Sequence, residues 1–260
     1  MGRGGNQMIR GIYTAAMGML AEESRVNTIS NNLANVDTAG FKKDSLAFST
    51  YLKKEIFRNE AENHLGKRTP VGKMESGVVL DESRPYFEQG AVEMTGSSYD
   101  FAITGDGFFT VETADGRTYY TRNGQWHRDN EDFLVDSVGN YILNDAGERI
   151  SVEGEFLVDQ DGSIFENGVL TGRIDLVNFA NPEGLRKVGN NYFAQTDFSG
   201  EAQQSFTATI VQGGYERANV NAVKEMVNLI NAHRHFEIAQ RVITTEDQLL
   251  DAAVNRVGKV

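Results

Sequence analysis

The chain has 260 residues, with 25 Lys and Arg against 37 Asp and Glu (net charge −12), 40% apolar residues, 27 Gly, 3 Pro and no Cys. That is enough for one large domain or two small ones with a real core. It excludes disulfides, thiolate metal sites and cysteine nucleophiles. Acidity this strong argues against a phosphate-backbone binder, so no nucleic-acid partner is expected. No run approaches the roughly 18 apolar residues of a membrane span, and the N-terminus lacks the apolar stretch of a cleaved secretory signal. Membrane insertion is therefore not expected.

The first seven residues hold three Gly and no apolar pattern. They read as a disordered leader or a cloning remnant, with Met8 a natural start. Residues 8–43 follow as an N-terminal helical segment. Its heptad column Ile12, Met19, Val26 and Leu33 is wholly apolar, while the companion column Ala16, Glu23 and Ser30 is small or polar. Residues 1–43 carry five bases and three acids.

Residues 44–99 read as a connecting segment: a possible helix over 46–57, then a polar, Gly-containing stretch over 59–77 that is flexible or ordered by a partner. Residues 100–215 change texture. Asp115-Gly116, Asn123-Gly124, Gly139-Asn140, Ala146-Gly147, Asp161-Gly162 and Asn167-Gly168 punctuate short alternating segments such as Phe109-Thr110-Val111-Glu112-Thr113. Glycine at such places supplies the positive φ of tight hairpins, so this is a central, mostly antiparallel β domain with one buried face.

Residues 216–260 repeat the helical pattern. Ala222, Leu229, Phe236, Ile243, Leu250 and Val257 form an apolar heptad column, beside Met226, His233, Gln240, Asp247 and Val254. Asn219 or Asn221 can cap the start, and Gly258 lies where the helix frays. Residues 219–257 as one helix span about 58 Å. This segment carries six bases and six acids, which leaves 14 bases and 28 acids for residues 44–215: all the net negative charge lies in the middle. A narrow seven-residue stripe at both ends predicts that the long terminal helices pair as a coiled coil. The plainer alternative is two amphipathic helices covering an ordinary core. The fold class is α+β either way.

Signals for chemistry are weak. His233 and His235 are two apart on a helix and face opposite sides, whereas a helical metal pair needs i, i+4. Gly105-Asp106-Gly107 lacks the third glycine and following helix of a dinucleotide fingerprint. Asp159-Gln160-Asp161-Gly162 lacks the later ligands of a calcium loop, whose twelfth position falls on Leu170. No catalytic, cofactor-binding or metal site is assigned, and the chain is read as a non-enzyme.

Three motifs carry a resemblance. Ser30-Asn31-Asn32-Leu33-Ala34-Asn35-Val36-Asp37-Thr38-Ala39-Gly40-Phe41-Lys42 closely resembles the N-terminal signature of flagellar basal-body rod and hook proteins. The run from Ala218 through Asn219-Val220-Asn221, Glu225-Met226-Val227, Arg234, Phe236-Glu237, Val242-Ile243, Thr245 and Asp247 is similar to that family's C-terminal signature. Asp100-Phe101-Ala102-Ile103, Gly105-Asp106-Gly107-Phe108-Phe109 and Thr121-Arg122-Asn123-Gly124 look like its shared β domain. The resemblance spans residues 8–257. Thr95-Gly96-Ser97-Ser98-Tyr99-Asp100 and the Asp161-Gly162 to Phe179 region look more like the proximal-rod type, with the distal-rod type the main competitor. Ala218 stands where the family usually has Ser, which implies a weaker helix cap, and Phe236 where it often has Tyr.

The resemblance implies a subunit whose terminal helices form an inner tubular layer, with the β domain projecting outward. The implied partners are other copies of itself, other flagellar rod and hook proteins, and the flagellar type III export apparatus, which would export the unfolded chain without a cleaved signal. The expected location is the basal-body rod, with no cofactor. Ile12, Met19, Val26 and Leu33, with Leu229, Phe236, Ile243 and Leu250, are the expected inter-helix seam. Asn31, Asn32 and Asn35 are expected to serve helix termination and subunit contacts. From other classes, a β-rich glycan-binding or adhesin module on a helical stalk predicts saturable binding by residues 100–215, and a cell-wall hydrolase predicts turnover.

Overall fold

The computed structural model describes residues 4–59, 68–204, 207–252 and 255; the heptad positions Val254 and Val257 and the fraying Gly258 lie outside them. The fold is α+β, with a helix at each end and a central antiparallel β region. It divides into two compact units: Met1–Asn31, Ser45–Arg84 and Val223–Val260 form one, Asn32–Asp44 and Pro85–Ala222 the other.

The first unit holds helix α1 (Gly4–Ala34), strands β1 (Asp44–Asn59) and β2 (Arg68–Pro85), which pair with each other, and helix α2 (Ala222–Ala252). Helix α1 begins within the expected leader, so residues 4–7 are helical. The possible helix over 46–57 is instead the strand β1. Leu46, Phe48 and Thr50 are half-buried and alternate with exposed Ser45, Ala47 and Ser49, a period of two that suits a strand and no helix. The Arg25 guanidinium lies 5.6 Å over the Phe48 ring, setting α1 against β1.

The two helices run antiparallel within this unit. Glu22 Oε1 lies 3.5 Å from His235 Nδ1, and a side chain on Gly11 would meet Glu246 Oε1 at 3.1 Å. Eleven residues forward on α1 thus match eleven backward on α2. The half-buried and buried positions of α2 include Leu229, Phe236, Ile243 and Leu250 together with Glu225, Ala232, Ala239 and Glu246. The companion column is therefore this one; Met226, His233, Gln240 and Asp247 are exposed. Small Ala232 and Ala239 let a neighbouring backbone approach, which their long polar counterparts on the other side would not.

The second unit is built on strand β5 (Phe108–Glu112), which follows β3 (Val92–Met94) and β4 (Phe101–Thr104) and pairs with β6 (Thr118–Thr121). The large sheet runs Arg186–Gly189, Tyr192–Ala194, β6, β5, Tyr141–Ile142, Leu134–Asp136 and Trp126–Arg128, antiparallel throughout, with Leu176–Asn178 also paired to β5. Strand β5 is buried on both faces, where the alternating reading of Phe109-Thr110-Val111-Glu112-Thr113 expected one, because sheet partners and core pack on each side of it. Phe109 and Val111 join the main core, where Trp126 sits 4.5 Å from Phe101 and 4.7 Å from Phe109. Phe108 enters a second cluster with Tyr120, Val177, Phe179, Leu185 and Phe193.

Five of the six expected turn dipeptides have glycine at positive φ; the hairpin Asn167-Gly168 has both residues there, at 50° and 82°. Gly124 is the exception, and close approach is its reason: a Cβ would sit 1.8 Å from the carbonyl oxygen of Phe101, whose N–H donates to the Gly124 carbonyl at 2.8 Å. Gly124→Ala is expected to cost about 3 kcal/mol, because backbone must move on both sides. Gly116→Asn, at φ 76° with open space around it, is expected to cost under about 1 kcal/mol. Urea unfolding of the two variants checks the contrast.

A buried ionic joint as candidate functional site

The chain leaving α1 is tied down at once. Asn32, buried at the helix end, accepts the Asp44 N–H on Oδ1 at 2.8 Å and donates from Nδ2 to the Asp44 carbonyl at 3.0 Å. The amide thus satisfies both backbone groups of Asp44, as a neighbouring strand would. Between them the loop is a succession of tight turns. The N–H of Thr38 donates to the Asn35 carbonyl at 3.1 Å, and that of Phe41 to the Thr38 carbonyl at 3.3 Å. Gly40 has φ 65°, and a Cβ there would lie 2.4 Å from the peptide joining Arg122 and Asn123. Only glycine lets these two backbones meet.

That approach delivers Lys42 to a buried carboxylate. Glu216 is wholly buried, Lys42 is 1% exposed and Arg122 3%. Lys42 Nζ donates to Glu216 Oε1 at 2.6 Å and to the Glu88 carbonyl at 2.8 Å. Arg122 Nη1 donates to Glu216 Oε2 at 3.3 Å, and Nη2 to the Gly105 carbonyl at 2.8 Å. The Gly90 N–H also reaches Glu216 Oε1, at 2.7 Å, and the Glu216 carbonyl accepts the Gly40 N–H at 2.7 Å. Two cations share one anion. The excess charge is met by the two carbonyls, by the face of the Phe108 ring 5.4 Å from the guanidinium, and by the field of Asp106. Arg122 Nε has no hydrogen-bond partner among the described residues. Burial pulls both Lys42 and Arg122 below their ordinary pKa values, and Glu216 raises them back only in part.

The root of α2 is fastened at the same place. Asn219 Oδ1 accepts the Lys43 N–H at 2.8 Å, its Nδ2 donates to the carbonyls of Tyr86 and Glu88 at 2.7 and 2.9 Å, and its own N–H reaches the Phe41 carbonyl at 3.3 Å. Asn219 is therefore a strut and not the helix cap; Asn221 directly precedes α2. Ala218 lies too far upstream to cap. It lines, with Val36, Asp37, Glu93, Tyr215 and Arg217, a cleft of about 350 Å³. Lys187 adds a clamp: its Nζ bonds the Lys42 carbonyl at 2.6 Å and the Asp44 carboxylate at 2.8 Å and lies 4.5 Å over the Phe41 ring. Both connecting segments, 35–44 and 216–221, are held side by side on one part of the second unit.

The expected site residues fare unequally. Ile12, Met19, Val26 and Leu33 are half-buried on α1, and Ile29 is buried. Leu229, Phe236, Ile243 and Leu250 are half-buried on α2. Asn32 is the bridge described above, Asn35 accepts the Thr38 hydroxyl at 3.3 Å, and Asn31 is exposed. The joint itself was not foreseen from sequence. Two bases inside glycine- and apolar-rich motifs, Lys42 after Ala39-Gly40-Phe41 and Arg122 before Asn123-Gly124, were the available signal; nothing local distinguishes Glu216 among 37 acids.

Three family models match in order along the chain: "Flagella basal body rod protein" over residues 12–42, "Flagellar hook protein FlgE/F/G D1 domain" over 102–171 and "Flagellar basal body rod FlgEFG protein C-terminal" over 211–256. The joint draws one charged residue from each: Lys42, Arg122 and Glu216. The chain is 35% identical to the flagellar basal-body rod protein FlgG of Borreliella burgdorferi, over 95% of this chain and 98% of that one. It is 33% identical to FlgG of Buchnera aphidicola from Acyrthosiphon pisum, over 94% and 98%. Against the flagellar hook-basal body complex protein FlhO of Bacillus subtilis the figures are 29%, 97% and 100%. The models that name subtypes group FlgE, FlgF and FlgG together, which leaves the choice between the proximal and distal types open. With near full-length similarity above 30% identity and all three motifs in register, the chain belongs to the flagellar basal-body rod and hook family.

Proposed function

We infer that this chain is a non-enzymatic structural subunit of the bacterial flagellar basal-body rod. It assembles with copies of itself and with other rod and hook proteins. The observation that carries the reading is the joint: within the second unit, the segments that lead to both terminal helices are fastened side by side around buried charge-assisted bonds. Export through the flagellar type III apparatus belongs to this proposal, and a chain without cysteine suits it, since no disulfide can form early.

Assembly is assigned to two faces of α2. The inner face, Leu229, Phe236, Ile243 and Leu250 with Ala232 and Ala239, serves the seam with α1, as a coiled coil. The outer face carries Val223, Val227, Ile230 and Ile238, all more than half exposed. Each is two residues from a buried or half-buried one (Glu225, Ala232 or Phe236) and so points away from it. A helix with two apolar faces fits a tube in which it meets both its own partner and a neighbouring subunit through heterologous contacts.

Deletion of the gene, with basal bodies imaged by negative-stain electron microscopy, tests the function. The expected result is a rod that stops short, restored by the intact gene, and the level of the stop assigns the proximal or distal position. Complete rods and normal swimming in the deletion strain would end the proposal.

A further inference from the structure

We propose that Glu216 is a completion latch: the segment leaving α1 becomes ordered only when the strand Gly214–Glu216 has formed, so both helix roots are fixed in a single late step. The pairing is long-range. Lys42 and Glu216 are 174 residues apart, Arg122 and Glu216 are 94. By contrast, two hairpins that carry main-core residues join neighbouring strands, β5 with β6 and Trp126–Arg128 with Leu134–Asp136, while the same core also takes the long-range pairing of β4 with Thr209–Gln212. Local pairings close with little loop entropy and form first; non-local ones follow.

Among the described residues Glu216 is the one carboxylate paired with both cations, with Glu88 and Asp106 adding only to the field around them. Without it, the Lys42 ammonium at 1% exposure would keep only the Glu88 carbonyl, and an unpaired buried ammonium is strongly disfavoured. The seated position of Lys42 therefore exists only in a chain folded as far as residue 216. The backbone follows the same logic. The Gly40 N–H needs the Glu216 carbonyl, the Lys43 N–H needs Asn219 Oδ1, and the Gly90 N–H needs Glu216 Oε1. Among the described residues these are the acceptors of the three amides. If the chain is a rod subunit, as proposed above, the latch keeps incomplete chains from presenting two fixed helix roots; the folding order itself does not depend on that role.

Pulsed hydrogen exchange during refolding of the purified full-length chain from urea tests the latch. Peptides covering 38–44 are expected to gain protection in the same phase as 214–219 and after 107–112. In Glu216→Gln at equilibrium, Gly40 and Lys43 are expected to exchange at least about tenfold faster while 107–112 is unchanged. Protection of 38–44 ahead of 214–219 in the wild-type chain overturns the latch. So does a Glu216→Gln chain whose Gly40 and Lys43 exchange at the wild-type rate. Should the variant not fold, the wild-type order alone decides between the two outcomes. Rod assembly is not part of this readout, so failure of the latch and failure of the proposed function are separately visible.

Discussion

Replacing Glu216 by glutamine is expected to lower the stability of the β unit by about 3–5 kcal/mol, the range for removing one partner of a buried ion pair. That is a large share of the roughly 5–15 kcal/mol of a typical domain. The loss does not measure what the cluster contributes. It measures two cations, Lys42 and Arg122, left in a site with almost no exposure, with the carbonyls of Glu88 and Gly105, the Phe108 ring and the field of Asp106 as what remains around them. The triple variant Lys42→Met, Arg122→Met, Glu216→Leu separates the two quantities: it removes every charge and is expected to regain most of the loss. Urea unfolding followed by the fluorescence of Trp126, the single tryptophan, 5% exposed between Phe101 and Phe109, reads both. A Glu216→Gln loss below about 1 kcal/mol would show that the joint is not held by charge. The pH dependence has a definite sign. Burial already places Lys42 below the ordinary lysine value, and taking away the carboxylate removes the largest influence raising it. The folded variant then binds fewer protons than its unfolded chain between the two values, so its stability rises with pH through that window.

The sequence made the broad architecture legible because that architecture is written in periodicities. Heptads marked both terminal helices, and Gly-containing dipeptides marked the hairpins, with Asn167-Gly168 at two positive φ values the clearest case. Residues 46–57 misled because the alternation of Leu46, Phe48 and Thr50 covers only a short window, and pairing with β2, a tertiary fact, decides for the strand. The second column of α2 misled for a different reason. Apolar ends at Met226 and Val254 drew attention to one side, whereas Ala232 and Ala239 define the packed side by being small. The joint was beyond any local pattern. Gly40, Gly90 and Gly124 are needed there for close approach of backbones from distant segments, a requirement that leaves no periodic trace. Lys42, Arg122 and Glu216 meet only after β3 has paired with Gly214–Glu216, where Glu216 stands opposite Val92.

The largest effect on assembly is expected from the outer face of α2. Ile230→Asp combined with Ile238→Asp should abolish swimming while leaving the unfolding midpoint of the isolated chain within about 0.5 kcal/mol of wild type. Both side chains are more than half exposed in the single chain, at 53% and 57%, so the folded monomer loses little packing when they become polar. In a tube every subunit would bury the same pair. Each isoleucine forgone removes about 1.5–3 kcal/mol of burial, and each aspartate adds the desolvation of a charge with no partner. The inner-face pair Leu229→Asp and Ile243→Asp provides the contrast. These residues are half-buried already, so that variant should lose monomer stability and motility together. Motility in soft agar and rod length in electron micrographs, set beside denaturation of the purified chains, distinguish the two faces. Normal swimming by the outer-face variant would mean that α2 meets its neighbours by the seam residues alone. Normal swimming by the inner-face variant would remove the seam between α1 and α2 from the account of assembly.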